Sequence, residues 1–402
     1  MNKDEQKMKK LAFACMATLA ITGNALAEDF WVTVDNDVLA QIRPQLSNGY
    51  KSLHSAQGAS IIKLTSQEIE QLSDVIHHNL NRCGGFIAHE SYEEAFDVIS
   101  YQGEMYFAKS AVFSDYQINQ QSRVNYFLPQ LEEMKIREMI INLSSFKTRH
   151  HKSKTGLESS RYIRDEWAKL AAHRNDVSVE LFEHRSTPQP SIIITIPGSE
   201  QPQDIVIVGG HADSIGGFWG GANATAPGAD DNASGIATMT ETFRVLMNNG
   251  FKPKKTVMFM AYAAEEVGLI GSKEIAQKFK RENKNVVGVV QLDMTLFKGT
   301  PDKDIVMMSD YTNAAQNEFL GQLIDEYVKV PWGYSRCGYA CSDHASWSGQ
   351  GYPASMPHEA TMSQSNKKIH SAHDTLQTAG GDAKHALKFA KLALSYIVEL
   401  AN

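Results

Sequence analysis

The sequence predicts an α/β fold class for residues 123–402, a three-layer α/β/α sandwich with a mostly parallel central sheet, preceded by a small α+β unit. Two observations lead to this prediction. From about residue 123, stretches with helical periodicity alternate with short strand-like stretches. One of these, 205–208, is apolar throughout, as expected of a strand that is buried on both faces.

The composition and charge are those of an ordinary globular protein. The chain has 402 residues, of which 42% are hydrophobic and 21% charged, and its formal net charge is −7. These values exclude a collagen, a coiled coil and a disulfide-dense mini-protein. A mildly acidic chain also lacks the basic surface typical of nucleic-acid-binding proteins, so we expect no nucleic-acid partner.

Residues 1–27 have the pattern of a signal peptide. Four lysines precede an apolar stretch of about a dozen residues, and Ala25-Leu26-Ala27 matches a cleavage site. The apolar stretch is too short to cross ~30 Å of hydrocarbon, which argues against a membrane anchor. We therefore expect a secreted or periplasmic protein without a membrane span, whose mature chain begins near Glu28.

Residues 28–122 stand apart by their charge. They contain thirteen acidic and five basic residues, a net charge of −8, whereas residues 123–402 are close to neutral. A helix is predicted at 66–80 and a strand at 104–113. No set of catalytic residue types occurs in this segment, so we interpret it as a prosegment with an approximate boundary at 122. The alternative is an accessory domain that stays attached.

The elements expected after residue 122 alternate in kind. Helices are predicted at 128–143, 156–172, 233–248, 267–281, 313–328 and 383–400. Strands are predicted at 177–182, 191–196, 205–208, 256–262, 286–292 and 305–308. Ligand sites in such sheets lie beyond the carboxyl ends of the strands, so the residues that follow each strand are the candidates for function.

Acidic and imidazole side chains collect at these strand ends. Three strands lead, in chain order, to His211 and Asp213, to Glu265 and Glu266, and to Asp293. Two loops add further candidates, Asp231 before helix 233–248 and His370 near the C-terminus. Each such residue alone is more often structural than functional. Together they would crowd negative charge at one edge of the sheet, a conflict that a bound cation resolves.

The types of these side chains indicate which cation. Two histidines and three carboxylates suit zinc, which accepts nitrogen and oxygen ligands. Five ligands exceed what one tetrahedral catalytic zinc with an open position can use. Two ions that share a bridging carboxylate fit the number better.

Cys337 and Cys341 are separated by three residues. They are either free thiols, half of a zinc knuckle or a disulfide. No second cysteine pair exists to complete a knuckle, and an exported chain reaches an oxidising compartment, so we expect a disulfide. Cys83 is then left over and is expected to be free.

Six motifs resemble those of the secreted bacterial dizinc aminopeptidases of the leucyl-aminopeptidase type, family twenty-eight of the zinc metallopeptidases. In chain order they are GGHADS, PGADDNASG, AYAAEEVGLIGS, QLDM, CGYACSDHASW and IHSAHDT. The resemblance covers about 123–402. It implies that His211 and Asp293 hold one Zn²⁺ ion, that Glu266 and His370 hold the other, and that Asp231 bridges the two.

The resemblance also implies roles for residues that do not bind metal. Glu265 would be the general base, and Tyr339 would assist the oxyanion, on a loop held by the disulfide. Asp213 would orient the ring of His211, as carboxylates behind metal-binding histidines do. A cis peptide bond is expected after Asp231.

The substrate pocket departs from the leucine-preferring pattern. Met294, Met308, Met356 and His358 are its expected members, where relatives that prefer leucine have several aromatic residues. A wall rich in methionine is adaptable, so a broader or more polar preference than leucine is open.

The function predicted from these residues is removal of N-terminal residues from peptides by an exported zinc exopeptidase made as a zymogen. Its partners would be peptides or proteins with a free N-terminus, and the enzyme is expected to be a monomer. The alternative is another zinc hydrolase or acyl-transfer enzyme of the same fold, a carboxypeptidase or a glutaminyl cyclase. A non-catalytic module of this fold is disfavoured because every ligand position is filled.

Overall fold

The structure is a computed structural model, and it describes residues 29–45, 52–56, 58–80, 85–105, 113, 116–217 and 220–402. The predicted signal peptide and Cys83 lie outside these residues. Among the described residues, no helix combines the length and the apolar character that crossing a bilayer requires.

The described residues of 29–105, here called the N-terminal unit, form an α+β unit. Its elements are β1 (Asp29–Asp35), α1 (Asn36–Ile42), β2 (His54–Ala56), β3 (Ala59–Thr65), α2 (Ser66–Leu80), β4 (Phe86–His89) and α3 (Tyr92–Met105). The strands pair antiparallel in the order β2-β3-β1-β4. The α+β prediction is confirmed, and α2 has the predicted bounds.

The predicted strand at 104–113 is wrong where the structure describes it. Glu104 and Met105 end helix α3, which buries Ala95 and Ile99 one turn apart. The helix continues to Met105, into the stretch where a partial alternation of apolar and polar residues predicted the strand. A few alternating residues do not outweigh a helix already packed on the sheet. Residues 106–112 lie outside the described residues.

Residues 116–402 alternate helices and strands as expected. The helices are α4 (Gln121–Phe127), α5 (Glu133–Ser144), α6 (Lys154–Ala171), α7 (Gly235–Asn248), α8 (Ile270–Arg281), α9 (Ala314–Leu323), α10 (His344–Ser348) and α11 (Lys384–Leu400). The strands are β5 (Ser178–Phe182), β6 (Ser191–Ile196), β7 (Gln201–His211), β8 (Lys255–Tyr262), β9 (Asn285–Gln291), β10 (Ile305–Met308), β11 (Trp332–Ser335), β12 (Ala354–Ser355) and β13 (Pro357–His358).

The central sheet has six strands in the order β12-β9-β7-β8-β6-β5. The first four are parallel, and β6 and β5 add antiparallel at one edge. Val206 and Val208 pack with α7 and α11 in the main core, whereas Ile205 and Ile207 pack with α8 and α10 on the opposite face. Successive side chains of a strand point to opposite faces, so helices cover both sides of the sheet. This arrangement confirms the predicted α/β sandwich.

Several predicted elements differ in extent, among them α5, which begins at Glu133 rather than 128. Helix α8 begins at Ile270 rather than 267 because the preceding segment turns sharply, with Ala264 and Leu269 at positive φ. Strand β7 is longer than predicted at both ends and ends at His211 itself. The end of β7 and the start of α8 lie at the carboxyl edge of the sheet, where the candidate residues are.

The segment before α4 packs with the C-terminal part. Phe113 belongs to its main core. The backbone N–H groups of Asn119 and Gln120 donate to the Glu399 carboxylate at 3.1 and 3.0 Å, and the Tyr116 hydroxyl lies 3.1 Å from it. Phe113 and Tyr116 also contact Phe319, so this segment packs on α9 and α11.

Candidate metal centre

Strand ends and loops bring the candidate ligands together. His211 ends β7, Glu266 follows β8, and Asp293 lies two residues after β9. Asp231 precedes α7, and His370 lies in the loop before α11. All five side chains are almost completely buried. The parallel order β9-β7-β8 places the three strand ends side by side at one edge.

Asp231 lies between two groups of ligands. Its Oδ1 is 3.0 Å from Nε2 of His211, and its Oδ2 is 2.9 Å from Nε2 of His370. Nε2 of His211 is also 3.3 Å from Oδ1 of Asp293, and Nε2 of His370 is 3.1 Å from Oε2 of Glu266. Each oxygen of one carboxylate therefore faces a different imidazole, and each imidazole faces a second carboxylate. The Asp231–Asn232 peptide bond is cis, as expected.

The unpaired polar atoms of this centre fit a cation. Both carboxylate oxygens of Glu265 and Oε1 of Glu266 are buried without a hydrogen-bond partner within the described part of the chain. Buried carboxylates left in this state are costly unless a cation lies near them. Nitrogen and carboxylate oxygen are ligands that zinc accepts. His211, Asp231 and Asp293 could hold one ion, and Asp231, Glu266 and His370 a second.

The pKa values show the crowding of negative charge. Burial raises the pKa of Glu265 well above its usual range, although the His211 charge opposes the shift. Burial would also raise the pKa of Asp231, but hydrogen bonds from His211 and His370 outweigh it and hold the value well below normal. Asp231 is therefore the carboxylate that stays ionised between the imidazoles, as a bridging ligand must.

Asp213 supports the centre from behind, at the position expected for it. Its Oδ1 lies 3.5 Å from Nδ1 of His211. The backbone N–H groups of Glu265 and Glu266 donate to its two oxygens at 3.1 and 3.2 Å. One carboxylate thus ties the ring of His211 to the turn that carries Glu265 and Glu266.

Sequence reasoning missed several residues that surround the ligands. The Ser342 hydroxyl donates to Oδ2 of Asp293 at 2.5 Å. Asp374 accepts the backbone N–H of Asp231 at 3.0 Å. The HSAHDT motif contains Asp374, so its place beside His370 was a usable signal. His77 of the N-terminal unit also lies at the centre, and the pattern of α2 contains no signal for this contact.

The loop that carries Tyr339 is closed by the expected disulfide between Cys337 and Cys341. The backbone N–H groups of Cys337 and Gly338 donate to Oδ2 of Asp310 at 2.7 and 3.2 Å. Tyr339 itself is 1% exposed and packs with Met308, Cys341 and Met356.

A small cavity beside Asp293 contains three of the four expected pocket residues. Its lining includes Met294, Met356 and His358, together with Tyr339. Met308 does not line it but packs behind Met356 and Tyr339. Nδ1 of His358 lies 3.1 Å from the carbonyl oxygen of Asp293, while its Nε2 has no hydrogen-bond partner within the described chain.

A third group of potential ligands lies outside the centre and consists of Glu70, His150 and His151. Nζ of Lys152 lies 2.5 Å from Oε1 of Glu70. A positive charge already neutralises this carboxylate, so the group has no need of a metal ion.

Comparison with known proteins identifies the family. A model described as Peptidase family M28 matches residues 191–396, a range that contains all five metal-ligand candidates. The chain belongs to peptidase family M28. This membership confirms the predicted family and, together with the relatives below, the predicted enzyme class, a metallo-aminopeptidase.

Two similar sequences and two similar solved structures match most of the length of this M28 peptidase. Probable aminopeptidase YDR415C of Saccharomyces cerevisiae is 34% identical over 293 residues, 71% of this chain and 78% of its own length. Leucine aminopeptidase 1 of Blastomyces gilchristii is 36% identical over 306 residues, 73% and 78% of the two chains. LapB from Legionella pneumophila has a TM-score of 0.80 at 28% identity, covering 93% of this chain and all of its own. LapA aminopeptidase from the same organism has a TM-score of 0.78 at 26% identity, covering 93% and 98%.

A more distant structure shares the fold alone. A glutaminyl cyclase from Bacteroides thetaiotaomicron has a TM-score of 0.55 at 14% identity and covers 67% of this M28 peptidase and 98% of its own chain. A sandwich of this kind therefore carries more than one reaction, and the function must be argued from the site.

Proposed function

We propose that this protein is an exported dizinc aminopeptidase that removes N-terminal residues from peptides. The observation that carries the proposal is the position of Asp231, whose two oxygens face His211 and His370 at 3.0 and 2.9 Å. A carboxylate shared in this way is the bridge expected between two metal ions about 3.5–4 Å apart. The aminopeptidase names of the relatives support the reaction type.

Different residues of the chain have different roles in the proposed reaction. When bound, the zinc ions would polarise the scissile carbonyl and acidify a water molecule. Glu265 is the general base, which accepts the proton of the attacking water and delivers it to the leaving amine. Burial raises the pKa of Glu265, which makes its carboxylate a stronger proton acceptor, as that role requires. Tyr339 donates a hydrogen bond to the carbonyl oxygen as negative charge develops on it.

The metal centre also accounts for exo-cleavage. The free α-amine of the substrate would lie beside the zinc ions and the buried acidic side chains, as a neutral amine whose lone pair a zinc ion accepts. A peptide bond inside a chain has no free amine to place there. Cleavage is therefore limited to the first residue, and a peptide with a free N-terminus is the substrate.

We further propose that the N-terminal unit is a removable prosegment and that residues 1–27 direct export. The net charge of −8 on residues 28–122 and the signal-like start support these two steps. Since Phe113 packs in the core of the C-terminal part, we place the junction before Phe113 rather than at residue 122.

Aminoacyl amides test this function. The purified protein, before and after trimming of the N-terminal unit, is assayed with a panel of aminoacyl amides, N-acetylated amides and N-terminal glutaminyl peptides. We expect the trimmed protein to hydrolyse the free-amine substrates, to carry two zinc ions per chain and to lose activity when chelated, with recovery on addition of zinc. Cyclisation of glutaminyl peptides with a single zinc ion would favour the glutaminyl cyclase alternative. Activity that survives thorough chelation would contradict the metal mechanism.

A further inference from the structure

The N-terminal unit packs directly on the turn that carries the metal ligands. Ala264, Val267 and Ile270 flank Glu265 and Glu266 in sequence, and their side chains belong to the apolar core of the N-terminal unit. The turn is therefore buried between two parts of the chain. The N-terminal unit contacts the metal centre rather than a distant surface.

Polar contacts fix the N-terminal unit to the same turn. The Ser73 hydroxyl in α2 donates to the carbonyl oxygen of Glu266 at 2.6 Å. The backbone N–H of Ala88 in β4 donates to the carbonyl oxygen of Gly268 at 3.2 Å. These two bonds set the position of α2 and β4 relative to Glu266.

One turn after Ser73, helix α2 places His77 in the metal centre. The ring centroids of His77 and His370 are 3.9 Å apart, and Nε2 of His77 lies 3.9 Å from Oε2 of Glu266. All three side chains are buried, and one potential ligand atom of each lies within 4.8 Å of the other two. Nitrogen and oxygen atoms at such separations can contact one zinc ion, whose ligands lie at ~2.0–2.2 Å.

Ser73 also fixes the tautomer of His77. Its hydroxyl proton is used in the bond to Glu266, so its oxygen accepts from Nδ1 of His77, which lies 3.3 Å away. The proton then resides on Nδ1, and the unprotonated nitrogen is Nε2, which lies 3.9 Å from Oε2 of Glu266. A neutral imidazole held in one tautomer by a partner behind it is the form that binds metal.

We propose that His77 is a ligand of the metal ion held by Asp231, Glu266 and His370, so that the N-terminal unit completes the coordination of that ion. The inference rests on the proposed function. A zinc ion with four protein ligands has the closed coordination of a structural site, whereas a catalytic zinc keeps one position open. The chain that retains the N-terminal unit, here the uncut chain, is thus latent because His77 occupies the position needed for substrate or water.

Zinc K-edge X-ray absorption tests this coordination without an activity assay. In the uncut chain loaded with two zinc ions, three imidazoles (His77, His211 and His370) should be shared between the ions, and trimming should remove one. Replacement of His77 by cysteine should give a sulfur neighbour at ~2.3 Å. The matched control is His54→Cys, since His54 lies on β2 of the same unit and stacks on Phe96. This variant should show no sulfur neighbour.

Zinc release gives a second readout. The His77→Ala variant of the uncut chain should lose one zinc ion to a chelator faster by at least about 10-fold, and its peptidase activity should exceed that of the uncut wild type. After trimming, the two proteins have the same sequence and should have the same activity, which shows that the variant folds.

Two results would overturn the inference. An unchanged imidazole number on trimming would do so, as would the absence of a zinc–sulfur signal in His77→Cys. Failure of the proposed function looks different, because a trimmed, zinc-loaded protein would then leave every aminoacyl amide intact, whatever the coordination of the uncut chain.

Discussion

Asp374 holds Asp231 in place through the backbone, since its Oδ2 accepts the Asp231 N–H at 3.0 Å and its Oδ1 the Asp230 N–H at 3.1 Å. The Asn366 amide donates to Oδ2 of Asp230 at 3.0 Å, which ties the same loop to the segment before His370. The Asp231 carboxylate, the proposed bridge, is therefore positioned by a second carboxylate that does not face the candidate ions.

Replacement of Asp374 by alanine should weaken zinc binding by about 10- to 100-fold. The change leaves two buried N–H groups without their acceptor, at a cost of about 1–3 kcal/mol for each group. Zinc affinity is measured by competition with a chelator, and the free energy of unfolding by denaturant titration. The control is Asp302→Ala, an exposed acid paired with Lys303, which should change neither quantity appreciably. Equal effects of both variants would show that Asp374 does not position Asp231.

Replacement of Glu265 by glutamine should lower kcat of the trimmed enzyme by about 10²- to 10⁴-fold, the usual contribution of a general base. Both zinc ions should remain, because Glu265 is not among the residues that face Nε2 of His211 or His370. Metal content by elemental analysis and steady-state kinetics check the two halves of this prediction. Loss of a zinc ion in this variant would make Glu265 a ligand instead of a base.

Removal of the disulfide should reduce activity more than stability. The loop between Cys337 and Cys341 is short, so its closure contributes little through chain entropy. The loop does carry Tyr339, the residue proposed to stabilise the oxyanion. A Cys337→Ser, Cys341→Ser double variant should lose activity severalfold, well below the ~10²–10³-fold loss expected on removal of an oxyanion donor itself. Thermal unfolding and kcat are measured beside Tyr339→Phe. If the double variant melts far below wild type while keeping its kcat, the loop has a stabilising role only.

The ion pair between Glu70 and Lys152 predicts how acid affects the docked N-terminal unit. Burial would raise the pKa of Glu70, but the neighbouring His151 and Lys152 side chains outweigh it and lower the pKa from 4.5 to about 2. The contact therefore stabilises the uncut chain fully above pH 4.5, and this contribution is lost as the pH falls toward 2.

The Glu70→Gln variant should accordingly destabilise the uncut chain by about 1 kcal/mol or less at neutral pH, since the side chain of Glu70 is 32% exposed. The difference from wild type should shrink between pH 4.5 and 2. Thermal unfolding of both proteins across this range provides the measurement. A difference that stays constant over the whole range would mean that the charge of Glu70 contributes nothing to docking.

The candidate ligands and the central sheet could be predicted from the sequence because both depend on short stretches of the chain. An apolar stretch at 205–208 and its neighbours predict buried parallel strands, and the carboxyl ends of parallel strands meet at one edge. His211, Glu266 and Asp293 follow directly from that rule. The late start of α8 did not, since it depends on the turn that contains Ala264 and Leu269, both at positive φ. The added length of β7 was not predicted either.

What surrounds the ligands was decided only by the tertiary structure. His77 meets Glu266 from a separate α+β unit, and Asp374 reaches Asp231 from the far end of the chain. Periodicity and capping report on neighbours within a helix or strand, and they contain no information on which distant surface that element will cover. The sequence thus determined the fold class, the family and the candidate ligands. The packing of α2 on the Glu265–Glu266 turn determined that the N-terminal unit shares the metal centre.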